Sequence, residues 1–229
     1  MNTGALQEFE KYVDRQILPA TTDITNLADD NRKHVQKLIY TNLVDQFDAM
    51  VDGAILDNCR AEPLVERAMS GMAKELSEAE LLRFLMYSSD IQTAVDERLR
   101  AGLRNSVLRD RHSVKLAALL GAFVVRGNFQ GKPRVNVNTG RIIDKMKPYH
   151  ATIPHSICGY ADWLYSRRNS IVHGGGTNKY TDNDRAQLKR LYNCEPARIL
   201  TIRLSSVTIA AAFYKDVVGL LNEAAGSPT

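Results

Sequence analysis

The chain has 229 residues, 44% hydrophobic and 24% charged, a composition ordinary for a globular protein and long enough to bury a core in one domain. No apolar run approaches the length that spans a bilayer, no signal-peptide pattern opens the chain, and Cys59, Cys158 and Cys194 are too widely spaced for a disulfide framework or a zinc site. The expectation is a cytoplasmic protein with no membrane association, and the net charge of +4 is compatible with a nucleic-acid partner.

Helical periodicity dominates, which predicts an all-α fold, a helical bundle. A first helix is expected over 6–18, closed by Pro19, with the Thr-rich stretch 21–25 as a linker. The next helix, 30–57, puts Val35, Leu38, Ile39, Leu43, Phe47, Met50, Val51 and Ile55 on one broad face. Shorter helices follow at 62–74, with Pro63 in the first turn, and at 77–87, where Ser77 and Glu80 form a loose capping box. Two more are expected at 89–108 and 112–125. From Arg126 to Gly140 the pattern breaks into a basic stretch rich in Gly and Asn and holding Pro133, read as a loop or short hairpin. Helices resume at 139–147, 155–173, 181–192 and 202–224. Residues 1–30 thus read as an N-terminal helix and linker, and 31–229 as a helical domain.

Positive charge is unevenly spread. Arg98, Arg100, Arg104, Arg109, Arg111 and Lys115 fall within eighteen residues that hold one acid, Asp110. They are either a solvated helix face or a surface that tracks phosphates. Arg126, Lys132 and Arg134 lie beside Phe129 in the loop, either as a clamp for a single strand or as incidental charge on a connector.

The densest chemistry sits at 168–173, Arg-Asn-Ser-Ile-Val-His, followed by Gly174, Gly175 and Gly176. Ile157, Tyr160, Leu164 and Ile171 form one helical stripe, and Arg168 falls within it. A guanidinium stays charged when buried, so it must meet an anion or line a polar cleft. An imidazole is the side chain suited to acid–base work near neutral pH, which makes His173 a candidate, although a histidine at a helix C-terminus also serves as a simple cap. On an ideal helix Arg168 and His173 point roughly 140° apart, while Asn169 and His173 share a face. Two copies of this helix about a two-fold axis would bring the arginine of one near the histidine of the other, which predicts a homodimer through the helix at 155–173.

Arg168-Asn169-x-x-x-His173-Gly174 resembles the R-x(4–6)-H signature of the HEPN superfamily, all-α domains found in many RNA-cleaving toxins and defence proteins. Arg167 gives a second, longer match, and the helix at 30–57 is similar to the opening helix of stand-alone members of the RiboL-PSP or MAE type. The resemblance implies a HEPN-type bundle with extra helices, acting as a metal-independent endoribonuclease without cofactor. Arg168, Asn169 and His173 would be catalytic, with RNA held by Arg167, Arg104, Arg109, Arg111, Arg126, Lys132 and Arg134. It also implies a shared site in a homodimer and an inhibitor or antitoxin as a possible further partner. The alternative within the superfamily is a non-catalytic adaptor that binds RNA or protein. Members modified by a nucleotidyltransferase antitoxin carry a Tyr two residues after the motif histidine; here that position is Gly175, with Tyr180 further on. His150, His155 and Cys158 lie close in sequence but lack a carboxylate ligand pattern, so core or loop roles are expected of them.

Overall fold

The longest described helix, α3 (Asp29–Asp57), is the axis about which the others are arranged. The computed structural model describes residues 1–72, 77–87, 90–124, 129–174 and 179–226. Among them every regular element is helical, apart from two isolated β-bridges, Val135–Ile142 and Lys179–Ile199. Ahead of α3 come α1 (Gly4–Tyr12) and α2 (Leu18–Asp23); after it follow α4 (Glu62–Ser70), α5 (Glu78–Tyr87), α6 (Ile91–Asn105) and α7 (His112–Phe123). The chain then closes with α8 (Ile157–His173), α9 (Asp182–Tyr192) and α10 (Leu204–Gly226).

The N-terminal segment departs from expectation. Pro19 does not stop the helix, because a π-helical turn at Val13–Ile17 intervenes and leaves the proline in the first turn of α2. There its missing N–H costs no hydrogen bond. The threonines expected as a linker are helical, and Thr21 and Thr25 donate their hydroxyls back to the carbonyls of Leu18 and Thr22, both at 2.7 Å. Leu6, Phe9, Val13 and Ile17 are buried in the same apolar cluster as α3, so residues 1–30 are built into the core.

On α3 the apolar face is legible from Leu43 onward: Leu43, Phe47, Met50, Val51 and Ile55 are buried, with Phe47 stacked on Tyr214 of α10 at 3.9 Å. Leu38 was expected on that face but is exposed, and the core position one turn earlier belongs to Tyr40, whose hydroxyl donates to the Leu164 carbonyl of α8 at 3.0 Å. Helix α10 is long and apolar enough to cross a bilayer by length and composition, which the sequence reading did not register. In this fold its buried face, including Val207, Phe213, Tyr214 and Val217, joins the central cluster.

The helix expected at 139–147 is not formed. Asn136 N–H donates to the Arg141 carbonyl (2.9 Å), the bridge pairs Val135 with Ile142, and Gly140 turns the chain at φ 75°. A Cβ at Gly140 would stand 2.1 Å from the Ile209 carbonyl oxygen, so the turn needs glycine both for its φ and for its close approach to α10. The Ile142 N–H then donates to Asp216 of α10 at 2.8 Å. Tertiary hydrogen bonds thus claim the backbone of a segment whose composition alone is compatible with a helix. The stretch from Arg134 to Gly140 follows the hairpin reading, while Arg126 lies outside the described residues.

Candidate functional site

Helix α8 starts just after Pro154, where the Ser156 hydroxyl caps the N–H of Gly159 at 3.2 Å. From Ile157 to Leu164 every residue is buried, as for a helix enclosed on all sides by α3, α7 and α9. Beyond Leu164 the helix emerges by degrees: Tyr165, Arg168, Asn169 and Ile171 are partly buried, and Val172 and His173 are exposed. Ser170, fully buried between the motif's arginine and histidine, fixes this turn from behind. Its hydroxyl accepts the Thr181 N–H (3.1 Å) and lies 3.4 Å from the Asp184 carboxylate, and Thr181 and Asp184 together cap α9. From Ile157 to Leu164 the helix is thus covered by its own chain.

Arg168 meets the anion its place on the apolar stripe required. Its Nη2 donates to Asp45 Oδ2 at 3.1 Å, and its Nε lies 2.6 Å from Asp45 Oδ1 without a hydrogen bond of its own, an ion pair across to α3. Nη1 donates to Asn169 Oδ1 at 3.2 Å, and the guanidinium lies 5.8 Å from the centre of the Tyr165 ring. The side chain remains 21% exposed. His173 stands five residues on, at the exposed end of the helix, so the two do not share a face within one chain.

Arg167, expected to contact RNA, faces the interior and is 7% exposed. Its guanidinium lies 4.5 Å from the Trp163 ring centre and 5.3 Å from that of Tyr40, and Nη2 donates to the Thr201 carbonyl at 2.7 Å. It is a core cation held by ring faces and a carbonyl, and from this position it cannot reach a phosphate.

The sequence reading missed the polar cluster beside the motif. Asp48 accepts from His112 Nδ1 (2.6 Å) and Lys115 Nζ (2.8 Å), and Lys115 also pairs with Asp52 at 2.7 Å. The His112 ring stacks on Tyr165 at 5.0 Å, and its Nε2 is buried with no hydrogen-bond partner. Opposite, Asp162 takes hydrogen bonds from Arg111 Nη2 (2.9 Å), Tyr192 Oη (2.8 Å) and Ser113 N–H (3.2 Å). Asn169, His112, Lys115, Asp162 and Gln187 line one cavity of about 190 Å³. Burial works to raise the Asp48 carboxyl, but hydrogen bonds from His112 and Lys115, with their charges, outweigh it and hold the group at about 2. One signal for this cluster was in the sequence. Asp45, Asp48 and Asp52 recur at helical spacing on an otherwise core-facing helix, which demands cations from neighbouring elements.

The remaining residues expected on RNA divide into two groups. Arg111 is committed to Asp162 and, with the amide oxygen turned toward it, to Gln187 at 2.6 and 3.0 Å; Arg134 is tied to Asp144 at 3.0 Å with its side chain 13% exposed. Arg104, Arg109 and Lys132 are exposed, with Arg109 resting on Asn105 at 2.9 Å. The stretch 98–115 is therefore part scaffold and part surface. His155 is buried, and burial followed by the charge of His150 lowers its pKa; burial also pushes the Cys158 thiol up to about 12, so neither presents a reactive group. Tyr180 is buried too, its hydroxyl pushed up to about 12 by burial. Among the described residues no group of three or more His, Cys, Asp or Glu side chains is placed to hold a metal ion.

No family model, curated protein or solved structure matches this chain.

Proposed function

We propose that this protein is a metal-independent endoribonuclease of toxin or defence type, resembling the HEPN nucleases, with Arg168 and His173 as its catalytic pair and Asn169 beside them. The observation that carries the reading is the state of Arg168, a guanidinium ion-paired and hydrogen-bonded to Asp45 yet still 21% exposed, with an exposed imidazole at the end of the same helix. Such a pair suits the chemistry of RNA. A base removes the 2′-OH proton, the 2′ oxygen attacks the adjacent phosphorus, and the 5′ oxygen leaves as it is protonated, giving a 2′,3′-cyclic phosphate. A fixed cation offsets the charge that builds on the phosphoryl oxygens. His173 supplies one of the two proton-transfer groups. A second copy meeting the first through the last turns of α8 supplies the other, and it carries His173 toward its partner's Arg168.

The test is cleavage of labelled single-stranded RNA by wild type, Arg168→Ala and His173→Ala, with and without chelator, and mapping of the product ends. Cleavage is expected to persist in chelator, to spare DNA, which lacks the attacking 2′-OH, and to fall by a factor of roughly 10² to 10⁴ in His173→Ala. Products with 3′-hydroxyl ends, or activity surviving both substitutions, would sink the mechanism. Light scattering that finds a fully active monomer would remove the shared site.

One observation favours the adaptor reading instead. Asp45 neutralises Arg168 within the chain, and a paired guanidinium has less charge to offer a phosphate. Absence of cleavage on every RNA tested, with RNA or protein binding retained, would establish that alternative.

A further inference from the structure

Four cationic side chains, Arg32, Lys33, Lys37 and Arg203, line a groove of about 680 Å³ between the first turns of α3 and the segment that leads into α10. Among the described residues no carboxylate lines it. Arg32 and Lys33 pair with Asp29 and Asp30 at the mouth, both surface contacts of the kind that contribute little and yield readily to a stronger anion. The groove opens onto the N-terminal end of α10, a 23-residue helix whose first N–H groups favour negative charge.

A second, independent feature points to a ligand. Gln36 lines the groove and is 6% exposed, a polar side chain packed into the wall. Its amide carries donors and an acceptor that an occupant can meet. Ile199, 69% exposed on the opposite wall, adds an apolar surface against which a base can lie. The groove is also joined to the motif helix. Arg167 of α8 donates to the carbonyl of Thr201, which lines it, and Arg167 precedes His173 by six residues, roughly 9 Å along a helix axis.

We propose that this groove holds the backbone phosphates of single-stranded RNA, with Lys33 and Arg203 as phosphate contacts and Gln36 hydrogen-bonding the bound strand. The proposal rests on the ribonuclease reading for its choice of ligand, and it puts the principal RNA contacts here rather than on Arg104, Arg109 or Lys132.

Binding of end-labelled single-stranded RNA is measured by fluorescence polarisation across a salt series, using the full chain with His173→Ala so that the RNA is not consumed. Lys33→Glu with Arg203→Glu is expected to weaken binding at least tenfold. It should also make the slope of log affinity against log salt shallower by about 1.4, since each lost phosphate contact on a single strand removes about 0.7. Gln36→Leu, which leaves the charge unchanged, is expected to lower affinity several-fold at an unchanged slope. Arg104→Glu with Arg109→Glu is expected to leave both quantities nearly unchanged. Lys33 and Arg203 are exposed, so the reversals should fold; if circular dichroism shows otherwise, the two alanine variants replace them, with the same slope change expected. Unchanged affinity and slope in the groove variants overturn the groove while leaving His173-dependent cleavage intact. Loss of binding in those variants, with no cleavage by wild type, keeps the groove and removes the nuclease reading. A wild type that does not bind RNA overturns the groove.

Discussion

At its start α3 offers Arg32, Lys33 and Lys37 to an open groove with no lining carboxylate among the described residues, whereas in its middle Asp45, Asp48 and Asp52 are each met by a cation from another helix. The two regions sit on one helix and carry similar charge densities, yet their energetics differ. In the middle, Lys115 is almost wholly buried, so its charge depends on Asp48 and Asp52 to offset desolvation. At the start, Arg32 and Lys33 make only surface pairs with Asp29 and Asp30, which cost little to exchange for a ligand. A closed set of ion pairs holds α3, α7 and α8 together, and a groove lined by cations is suited to binding an anion.

The largest effect expected from this contrast is on stability. Lys115→Met keeps the stem of the side chain but leaves Asp48 and Asp52 without their common cation, and breaking a buried pair this way costs about 3–5 kcal/mol. Denaturant unfolding measures it, and a loss below about 1 kcal/mol would mean that the cluster is not a structural lock.

Acid should open the same lock. Asp48 is held at about 2 in the folded state, below an unfolded carboxyl near 4, so its contribution is complete above that unfolded value and decays as pH falls toward 2. Asp52 opposes this in part, because burial raises its carboxyl despite Lys115. The stability gap between wild type and Asp48→Asn isolates the Asp48 contribution. It is expected to shrink by about 2 kcal/mol between pH 4 and pH 2, and a gap constant with pH would contradict the assignment.

Within the middle region Asp45 is the most exposed of the three carboxylates, at 42%, and under the proposed nuclease reading its substitution acts on activity more than on folding. Asp45→Asn is expected to reduce RNA cleavage by about tenfold through loss of Arg168 positioning, with stability changed by less than about 1 kcal/mol. Faster cleavage would show that Asp45 restrains the arginine instead of positioning it. The smallest effect belongs to the groove. Lys33→Ala with Arg203→Ala should alter stability by no more than about 0.5 kcal/mol in the absence of RNA, and a larger loss would make those cations part of the scaffold.

Much of this was legible in the sequence, and the failures have physical causes. The helices at 30–57, 62–74, 77–87, 155–173 and 181–192 are found within a few residues at each end wherever the structure describes them, because long apolar periodicity is a local property. The demand that Arg168 find an anion was equally legible, since a guanidinium on an apolar stripe cannot shed its charge. Pro19 misled because a π-helical turn absorbed it, and 139–147 misled because its backbone hydrogen bonds go to tertiary partners. Arg167 and Arg168 show the limit most clearly. Adjacent in sequence and identical in chemistry, one is held among core rings and the other by a carboxylate on α3.

By itself, then, the sequence determined the all-helical class, the place of the Arg168-Asn169-x-x-x-His173 motif at the end of an apolar helix, and the need for a counter-charge there. These follow from the periodicity of one segment and from the chemistry of single side chains. Only the tertiary structure decided that Asp45 supplies that charge, that His112 and Lys115 close onto Asp48, that α8 is covered by its own chain from Ile157 to Leu164, and that Arg32 and Arg203 share a groove. Each of those is a meeting between residues far apart in the chain, and no local pattern encodes which of several equivalent cations a given helix will place beside which carboxylate.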